Sequence, residues 1–582
     1  MKKLPLKRKT FSEIIESKKL YVDKTEYIHR LVTGDKSCFL SRPRRFGKSL
    51  LLDAIKELFV GRRDLFKGLY IETSTDYDFP MHPVIELDMS YAETATPDLL
   101  KRSIKRDLVK IADREWLKIP DGYYDGVLIS LVKKLSDKYG GTKVVVLVDE
   151  CDAPVAANIG RLSAAEANQE VLQGFYTTLK KLDEYLRFVF VVGATRCAVG
   201  SSDGEYNDLV DISLKPEYSG ICGFTSLELD QYFGDHMQKT LEALVEKGDL
   251  PPHSDQDDLK KELVRWYGGY NWGSEPQAMN HQAMNLQEMN HQEMNHQVLN
   301  HHEMNHQVIN AQVMNPFSIL NFFNKKEFSD YWFQSGPPAN LTELIQADPL
   351  DYLDLQLDGH NLSSVTRVEL HGLGSISALF HGGYLTIDEI TMVPDGNEKL
   401  AEKYSFKFPN HEVGKNYKRY CLDSVFTTIA HELQIYSKTL VSAFLAKDPK
   451  AASLTFQDIL SGATFPQDAA DDGYHYNLIR AALLGMNFEL MKEPLDRQGG
   501  SDLTIILPDD VRVVVKMEYR PKLASENQDS MQKELAKGLE DAKTALKTQD
   551  CVGALKQSGK KAIMMGLAIY DRKDVSAEFV EV

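Results

Sequence analysis

The chain of 582 residues has few cysteines and no long apolar run. Its 6 cysteines are scattered, with no pair at the spacing of a metal site, which predicts reduced thiols in a cytoplasmic protein. No segment approaches the roughly 18 consecutive apolar residues of a transmembrane helix, and the basic N-terminus lacks the apolar stretch of a signal peptide. These absences predict a protein without a membrane partner.

Acidic residues outnumber basic ones over the whole chain, but the balance is reversed near the N-terminus. The formal net charge of −17 argues against a general polyanion binder. Residues 1–70 nevertheless contain 18 lysines and arginines against 8 acidic residues, a local net charge of +10. This imbalance favours an anion-binding face, and more weakly a nucleic-acid-binding one, although solvated surface lysines give the same composition.

The pattern along the chain predicts three regions, within the roughly two to four domains that this length allows. Residues 1–235 alternate helical patterns with short apolar strands, which is typical of an α/β domain with a largely parallel sheet and flanking helices. Residues 236–435 predict a mostly helical middle region, and residues 436–582 return to a mixed α/β pattern. The candidate strands of the first region are SCFLS (37–41), HPVIELDM (82–89), KVVVLVD (143–149) and RFVFVVGA (187–194).

A low-complexity insertion interrupts the middle region at residues 277–315. Residues 277–316 read as eight tandem pentapeptides rich in Met, Asn, Gln and His. A metal-binding histidine tract and a small solenoid are the functional interpretations of such a repeat. Single histidines five residues apart do not converge on one face, and Asn follows the central apolar residue instead of preceding it. An expanded, mostly disordered loop is therefore the prediction.

The stretch FLSRPRRFGKSLLL, residues 39–52, departs from a standard phosphate-binding loop (P-loop) at one position. Gly47, Lys48 and Ser49 supply the end of the formula, but Arg42 stands in place of the first glycine. Strand, loop and helix follow one another in the required order. In such a loop the lysine contacts the β- and γ-phosphates and the serine hydroxyl ligates Mg²⁺.

The segment KVVVLVDECDAPV supplies the acids that a phosphate loop needs. Asp149 is predicted to hold Mg²⁺ through water, and Glu150 to orient or deprotonate the attacking water. After the next strand, Thr195 and Arg196 stand at its carboxyl end, which is the ligand edge of a parallel sheet. Thr195 is a candidate γ-phosphate sensor and Arg196 a candidate for neutralising its charge, with a structural salt bridge as the alternative.

Six segments occur in order over most of residues 4–340: YVDKTEYIHRLV, FLSRPRRFGKSLLLDAIKELFVGRRDLFKGLYI, VVVLVDECDAPV, DLVDISLKPEYSGICGFTSLEL, WYGGYNW and NPFSILNFF…DYWFQSG. This run resembles the AAA-ATPase-like family of bacterial proteins, in which the arginine-rich loop is itself typical. The resemblance implies an AAA-like P-loop domain that binds ATP and Mg²⁺, with turnover or tight binding left open. Val192-Gly193 departs from the Thr-Gly often found in that family, so the sensor assignment is open too. The implied nucleotide contacts are Arg42, Arg45, Phe46, Gly47, Lys48, Ser49 and Leu50.

Such proteins commonly end in a PD-(D/E)XK nuclease-like domain, of restriction-endonuclease-like fold, and residues 436–582 resemble one. The segment GGSDLTIILPDDVRVVVKMEYR places Asp502 where the first metal-binding acid belongs, and Asp471 precedes it near a helix. On the second strand Lys516 and Glu518 stand exchanged relative to the Glu-x-Lys pattern, which moves the carboxylate by about 6.8 Å along the strand. A metal–oxygen distance of about 2.1 Å does not tolerate that shift without a change of register.

Two interpretations of the exchange remain. In one, the nuclease is inactive and the domain binds a partner or nucleic acid, DNA or RNA. In the other, a β-bulge or a compensating acid such as Glu493 rebuilds a site in which Asp502, Lys516 and Glu518 are catalytic. Lys516 as a plain cross-strand partner is equally open. The sequence thus predicts a Mg²⁺-dependent ATP-binding ATPase coupled to a nuclease-like domain, with a non-catalytic nucleotide-dependent scaffold as the alternative and a homo-oligomer left open.

Overall fold

The four apolar runs predicted near the N-terminus all form strands of one sheet in the computed structural model. The sheet consists of β1 (Ser37–Ser41), β2 (Val84–Asp88), β3 (Val144–Asp149), β4 (Leu186–Gly193) and β5 (Val210–Asp211). Their spatial order is β2-β3-β4-β1-β5, and every neighbouring pair is parallel. All six residues of β3 are buried, as expected for a strand that is covered on both faces. The α/β prediction with a parallel sheet is confirmed, whereas the two-residue β5 was not predicted.

The chain forms two compact units. The first comprises Met1–Asn340 and Gln356–Gly414, and the second comprises Leu341–Leu355 and Lys415–Val582. The structure describes residues 1–6, 10–158, 161–195, 209–273, 312–335, 345, 355, 357–361, 375–394, 400–426, 430–463, 472–486, 488–491, 503–507, 511–522, 528–548, 561–571 and 573–580.

Helices surround the sheet of the first unit and extend beyond it. They are α1 (Phe11–Glu16), α2 (Thr25–Thr33), α3 (Lys48–Phe59), α4 (Tyr70–Thr73), α5 (Pro97–Arg114), α6 (Tyr124–Lys138), α7 (Ala153–Ala156), α8 (Leu162–Lys181), α9 (Ser226–Lys247), α10 (Gln256–Tyr267), α11 (Pro316–Lys325), α12 (Tyr331–Gln334) and α13 (Ser375–Gly382). Helices α5, α6 and α8 share one hydrophobic core with β2, β3 and β4. Helices α9, α10 and α11 share another with Leu20 and Val22, which places them beside the N-terminal segment.

The middle region also contains two antiparallel hairpins, so it is less purely helical than predicted. One pairs β6 (Tyr270–Asn271) with β7 (Gln312–Val313), and the other pairs β8 (Thr386–Pro394) with β9 (Leu400–Lys407). The last pentapeptide of the repeat belongs to the folded unit, because Val313 is buried and Asn315 caps α11. The rest of the predicted insertion lies outside the described residues.

A mixed sheet forms the centre of the second unit. Its strands are β10 (Glu489–Met491), β11 (Leu503–Leu507), β12 (Val511–Arg520), β13 (Ala562–Tyr570) and β14 (Asp574–Val580), in spatial order. Only the β12–β13 pair is parallel among these neighbours. The remaining helices are α14 (His411–Val425), α15 (Ala430–Ala446), α16 (Pro449–Ser461), α17 (Asp472–Gly485) and α18 (Gln528–Thr548).

The predicted region boundaries at residues 235 and 435 both fall inside helices. Helix α9 runs through residue 235, from a capping box at Thr225 to a left-handed Gly248 with φ 81°, and α15 runs through residue 435. The two units divide at Asn340/Leu341, at Leu355/Gln356 and at Gly414/Lys415, and the last of these divisions lies within α14. No helix in the described part of the chain is both long and apolar enough to cross a membrane.

Candidate nucleotide-binding site

The predicted phosphate loop connects β1 to α3, and its backbone opens toward the start of that helix. Gly47 caps α3 with φ 98°, a left-handed conformation that favours glycine. A Cβ built on Gly47 meets nothing within 4 Å, so the backbone conformation, and not a lack of space, requires glycine here. The first amides of an α-helix have no intrahelical acceptors, so the start of α3 is suited to bind an anion.

Lys48 is buried and lies across its own loop. Its Nζ donates to the carbonyl oxygens of Arg42 and Pro43, at 2.9 and 3.3 Å. The same Nζ is 4.0 Å from Oε1 of Glu150, at the limit of an ion pair. The structure therefore brings Lys48 and Glu150 together from the ends of two different strands.

Ser49 and Asp149 form the second pair that the sequence predicted. Burial, the largest effect, raises the pKa of Asp149 above its ordinary value, whereas the interaction with the Ser49 hydroxyl and the charge of Lys48 lower it. Within the described ranges no cluster of three or more His, Cys, Asp or Glu residues could hold a metal ion alone. A hydroxyl and one carboxylate do fit Mg²⁺, which prefers oxygen ligands shared with phosphate and water.

Glu150 has a strained backbone. Its φ of 46° is unusual for a residue other than glycine, and its amide donates to Oδ1 of Asp149 at 2.9 Å. Holding such a conformation costs about 1–3 kcal/mol, and strain of this kind clusters at functional sites. The Glu150 side chain, which is 32% exposed, has its carboxylate on the side of Lys48.

Arg42, in place of the first glycine of the loop, does not face the cavity. Its guanidinium is 1% exposed and donates to the carbonyl oxygens of Ser41, Ser213 and Tyr218, at 2.8, 2.7 and 3.3 Å. It also lies 4.9 Å from the ring centre of Trp272. Burial lowers the pKa of Arg42 to about 10, which leaves it charged at neutral pH. The side chain thus anchors the loop to the chain that follows β5.

The other predicted loop contacts surround a cavity of about 920 Å³. Phe46 is buried edge-on against Tyr270, with ring centres 4.7 Å apart, and the Arg45 guanidinium lies 5.1 Å from the ring centre of Phe317. Leu50 also lines the cavity, as does Arg44, which sequence reasoning omitted although it stands in the same arginine run. The other walls come from Leu6, Leu20, Tyr21, Val22, Leu320 and Asn321, and acids line it at Glu86, Asp88, Asp149 and Glu150.

Thr195 is held by an acid that sequence reasoning did not single out. Its amide and hydroxyl donate to Oδ2 of Asp152, at 2.9 and 3.1 Å, and the amide of Ala194 donates to Oδ1 at 3.0 Å. Asp152 is 3% exposed, and burial is the largest effect that raises its pKa. Asp152 could have been singled out from the sequence, because it is the third acid of the segment DECDAP (149–154). Arg196 lies outside the described residues.

The packing around Gly193 shows why glycine stands at this strand end, where Val192-Gly193 departs from Thr-Gly. A Cβ built on Gly193 would lie 2.6 Å from Oδ1 of Asp152 and 2.7 Å from Sγ of Cys151. Real Cβ atoms do not approach other atoms so closely. The observed position of the Asp152 carboxylate therefore requires glycine at residue 193.

In the second unit, Lys516 and Glu518 share a strand face with Val514, which packs against Leu546 of α18. Glu518 lies 3.9 Å from the guanidinium of Arg520, which is also hydrogen-bonded to Asp541 of α18.

The ladder between β12 and β13 runs in unbroken register from Arg512 to Arg520. This register has no β-bulge between β12 and β13, and the alternative of a rebuilt site stays a prediction. Asp471, Glu493 and Asp502 lie outside the described residues.

Comparison with known proteins gives two matches. Residues 5–201 match the model of the AAA-ATPase-like family, described as predicted AAA-ATPases. An uncharacterized protein in the vnfD 5′ region of Azotobacter chroococcum mcd 1 is 26% identical over 513 residues, which is 87% of this chain and 87% of its own length. The first match covers the loop, both site acids and four of the five sheet strands. Residues 5–201 are therefore similar to a family of predicted AAA-ATPases, and this similarity implies an ATP-binding, ATPase-like function.

Proposed function

We propose that the first unit binds ATP with Mg²⁺ and hydrolyses it. The observation that carries this proposal is the convergence of four side chains at one end of the cavity. The interaction of Ser49 with Asp149 lowers the pKa of that carboxyl, and Nζ of Lys48 lies 4.0 Å from Oε1 of Glu150. The two pairs come from β1 and β3, which are separated by β4, so only the folded sheet assembles them.

Each residue has a role that its geometry supports. Lys48 exchanges its bonds to loop carbonyl oxygens for bonds to the β- and γ-phosphates. Ser49 and Asp149 would hold Mg²⁺, which would supply positive charge against the phosphates. Glu150 orients a water molecule and takes its proton as the water oxygen attacks the γ-phosphorus, which releases ADP and inorganic phosphate. Arg44 and Arg45 add positive charge to the same wall.

The test is steady-state ATP hydrolysis by the full chain, with and without Mg²⁺. We expect Lys48→Ala to abolish nucleotide binding measured by calorimetry. We expect Glu150→Gln to keep binding but to lose hydrolysis by about 10²- to 10⁴-fold, the usual contribution of a general base. Lys67→Ala, an exposed lysine outside the cavity, is the matched control. Lys48-dependent binding without hydrolysis would leave the non-catalytic scaffold as the function, and no binding would refute both.

For the second unit we propose a PD-(D/E)XK-like domain that binds nucleic acid without cleaving it. The succession α17, β10–β12, α18, β13 supports this fold, since it follows the helix, strand–turn–strand, helix and strand order that the resemblance implies. The pairing of Glu518 with Arg520 supports the loss of cleavage, because that carboxylate already has a cationic partner.

Gel assays of DNA and RNA binding and cleavage, with and without ATP and Mg²⁺, test the proposal for the second unit. Cleavage by the wild type would overturn it, and nucleotide-independent binding would end any coupling to the first unit. The double variant Lys516→Glu, Glu518→Lys restores the order of the Glu-x-Lys pattern. Cleavage by this variant would indicate a nuclease that lost its activity recently, and no cleavage would indicate a domain that has long had another function. Light scattering during the same assays tests homo-oligomer formation.

A further inference from the structure

The phosphate loop has a neighbour that the proposed reaction does not use, the indole of Trp332 on α12. Its Nε1 donates to the backbone carbonyl oxygen of Arg44 at 3.2 Å. The ring packs edge-on against Tyr384, with ring centres 5.2 Å apart, and both aromatic residues line the cavity. Trp332 thus fixes a backbone group in the middle of the arginine run.

One buried carboxylate holds the helix that carries this indole. Glu412 is 1% exposed, and its Oε1 accepts the amide of Phe333 at 2.9 Å, while its Oε2 accepts the Ser318 hydroxyl at 3.1 Å. The backbone amide of Trp332 also acts on Glu412 and lowers the pKa of its carboxyl. These amides belong to the first turn of α12, which has no intrahelical acceptors for them. Glu412 therefore joins α12 to α11.

The surroundings of Glu412 set opposing demands on its charge. Burial is the largest effect and raises its pKa to about 7, and the charge of Asp330 adds to the rise. The bonds from Phe333, Ser318 and Trp332 favour the ionised form and lower the pKa. The titratable groups described around Glu412 are Tyr267, Tyr270, Asp330 and Tyr331, with His411 beside it on its own helix.

We propose that Glu412 is a positioning residue for the phosphate loop, because its ionised carboxylate fixes Trp332 and Trp332 fixes the Arg44 carbonyl. This inference rests on the proposed nucleotide site. When the carboxylate takes up a proton, it loses an acceptor and its hold on α12 weakens. Nucleotide affinity therefore falls between pH 8 and pH 6, within the range in which cells change their pH.

Calorimetric titration with Mg²⁺ and ADP at pH 6 and pH 8 tests the link, comparing the wild type with Glu412→Gln. The variant keeps the shape of the side chain but does not titrate. We expect the wild type to bind about three- to tenfold more tightly than Glu412→Gln at pH 8, the value of one hydrogen bond, and equally at pH 6. Proton uptake by the nucleotide affects both proteins alike and cancels in this ratio. Glu246→Gln, on the exposed face of α9, is expected to follow the wild type.

A second readout does not depend on nucleotide. With 5-fluorotryptophan incorporated, the ¹⁹F resonance that Trp332→Phe removes is expected to titrate with a midpoint near pH 7 in the wild type, the pKa of Glu412, and to be flat in Glu412→Gln. Ser318→Ala, which removes a donor to the ionised form, raises the midpoint and replaces Glu412→Gln if that variant does not fold. A flat wild-type resonance, or an affinity ratio equal at both pH values, refutes the role of Glu412. Absence of binding with a titrating resonance refutes the nucleotide site alone.

Discussion

Replacement of Gly193 by alanine is the sharpest test of how the site is packed. The added Cβ would lie 2.6 Å from Oδ1 of Asp152 and 2.7 Å from Sγ of Cys151, so the carboxylate must move. That carboxylate accepts three hydrogen bonds from Ala194 and Thr195. Overpacking of a buried site costs about 1–3 kcal/mol, and weakening one bond to a buried charge adds roughly 1.5 kcal/mol. We expect a total of about 2.5–4.5 kcal/mol.

Hydrogen–deuterium exchange of the full chain measures this cost at the place where it arises. In a peptide that covers Ala194 and Thr195, the lower bound of about 2.5 kcal/mol corresponds to roughly 70-fold faster exchange. The control is Gly126→Ala in α6, where a Cβ meets nothing within 4 Å and alanine stabilises the helix by up to about 1 kcal/mol. Unchanged exchange in Gly193→Ala would show that Asp152 does not occupy the position described.

Three further predictions concern the loop, the buried acid and the repeat. Gly383→Ala places a Cβ 2.7 Å from Pro43 and should weaken nucleotide binding about tenfold or more by calorimetry, whereas Gly359→Ala, equally left-handed but in open space, should not. The folded state raises the pKa of Glu412 from 4.5 to about 7, so the folded chain binds this proton more tightly than the unfolded chain does. As the pH rises through that window, the free energy of unfolding of the wild type should fall by up to about 3 kcal/mol relative to that of Glu412→Gln, measured by urea unfolding at pH 5 and pH 8. A difference between the two proteins that does not change with pH would contradict this. Replacement of residues 274–311 by Asn-Gly should leave the melting temperature and nucleotide affinity unchanged, and loss of either would give the repeat a structural role.

The parts of the first unit that local pattern determines were predictable. Continuous apolar runs such as 144–148 and 188–194 identify buried parallel strands without any tertiary information, and Gly47-Lys48-Ser49 fixes the start of α3. Because the carboxyl ends of parallel strands share one sheet edge, the meeting of the loop with Asp149 followed from the same pattern.

What escaped prediction depends on side-chain direction and on long-range contacts. A loop template counts positions but does not say that Arg42 turns inward to carbonyl oxygens 171 and 176 residues away. The sequence makes Thr195 a candidate γ-phosphate sensor, yet its hydroxyl donates a hydrogen bond to Asp152, 43 residues earlier in the chain. Strand β5 has only two residues and lacks a period that a pattern could reveal.

The short β6–β7 hairpin has a consequence for the history of the gene. Tyr270 pairs with Val313 and Asn271 with Gln312, so the residues on either side of positions 274–311 are neighbours across one ladder. The free energy of closing a loop between such points rises by only about 0.6 kcal/mol for each doubling of its length. Slippage during replication can therefore add or remove whole pentapeptide units in frame with little selection against the change. The chain between β6 and β7 is therefore a site that tolerates insertions. The number of repeats can vary there between strains, and a reporter domain can be inserted there.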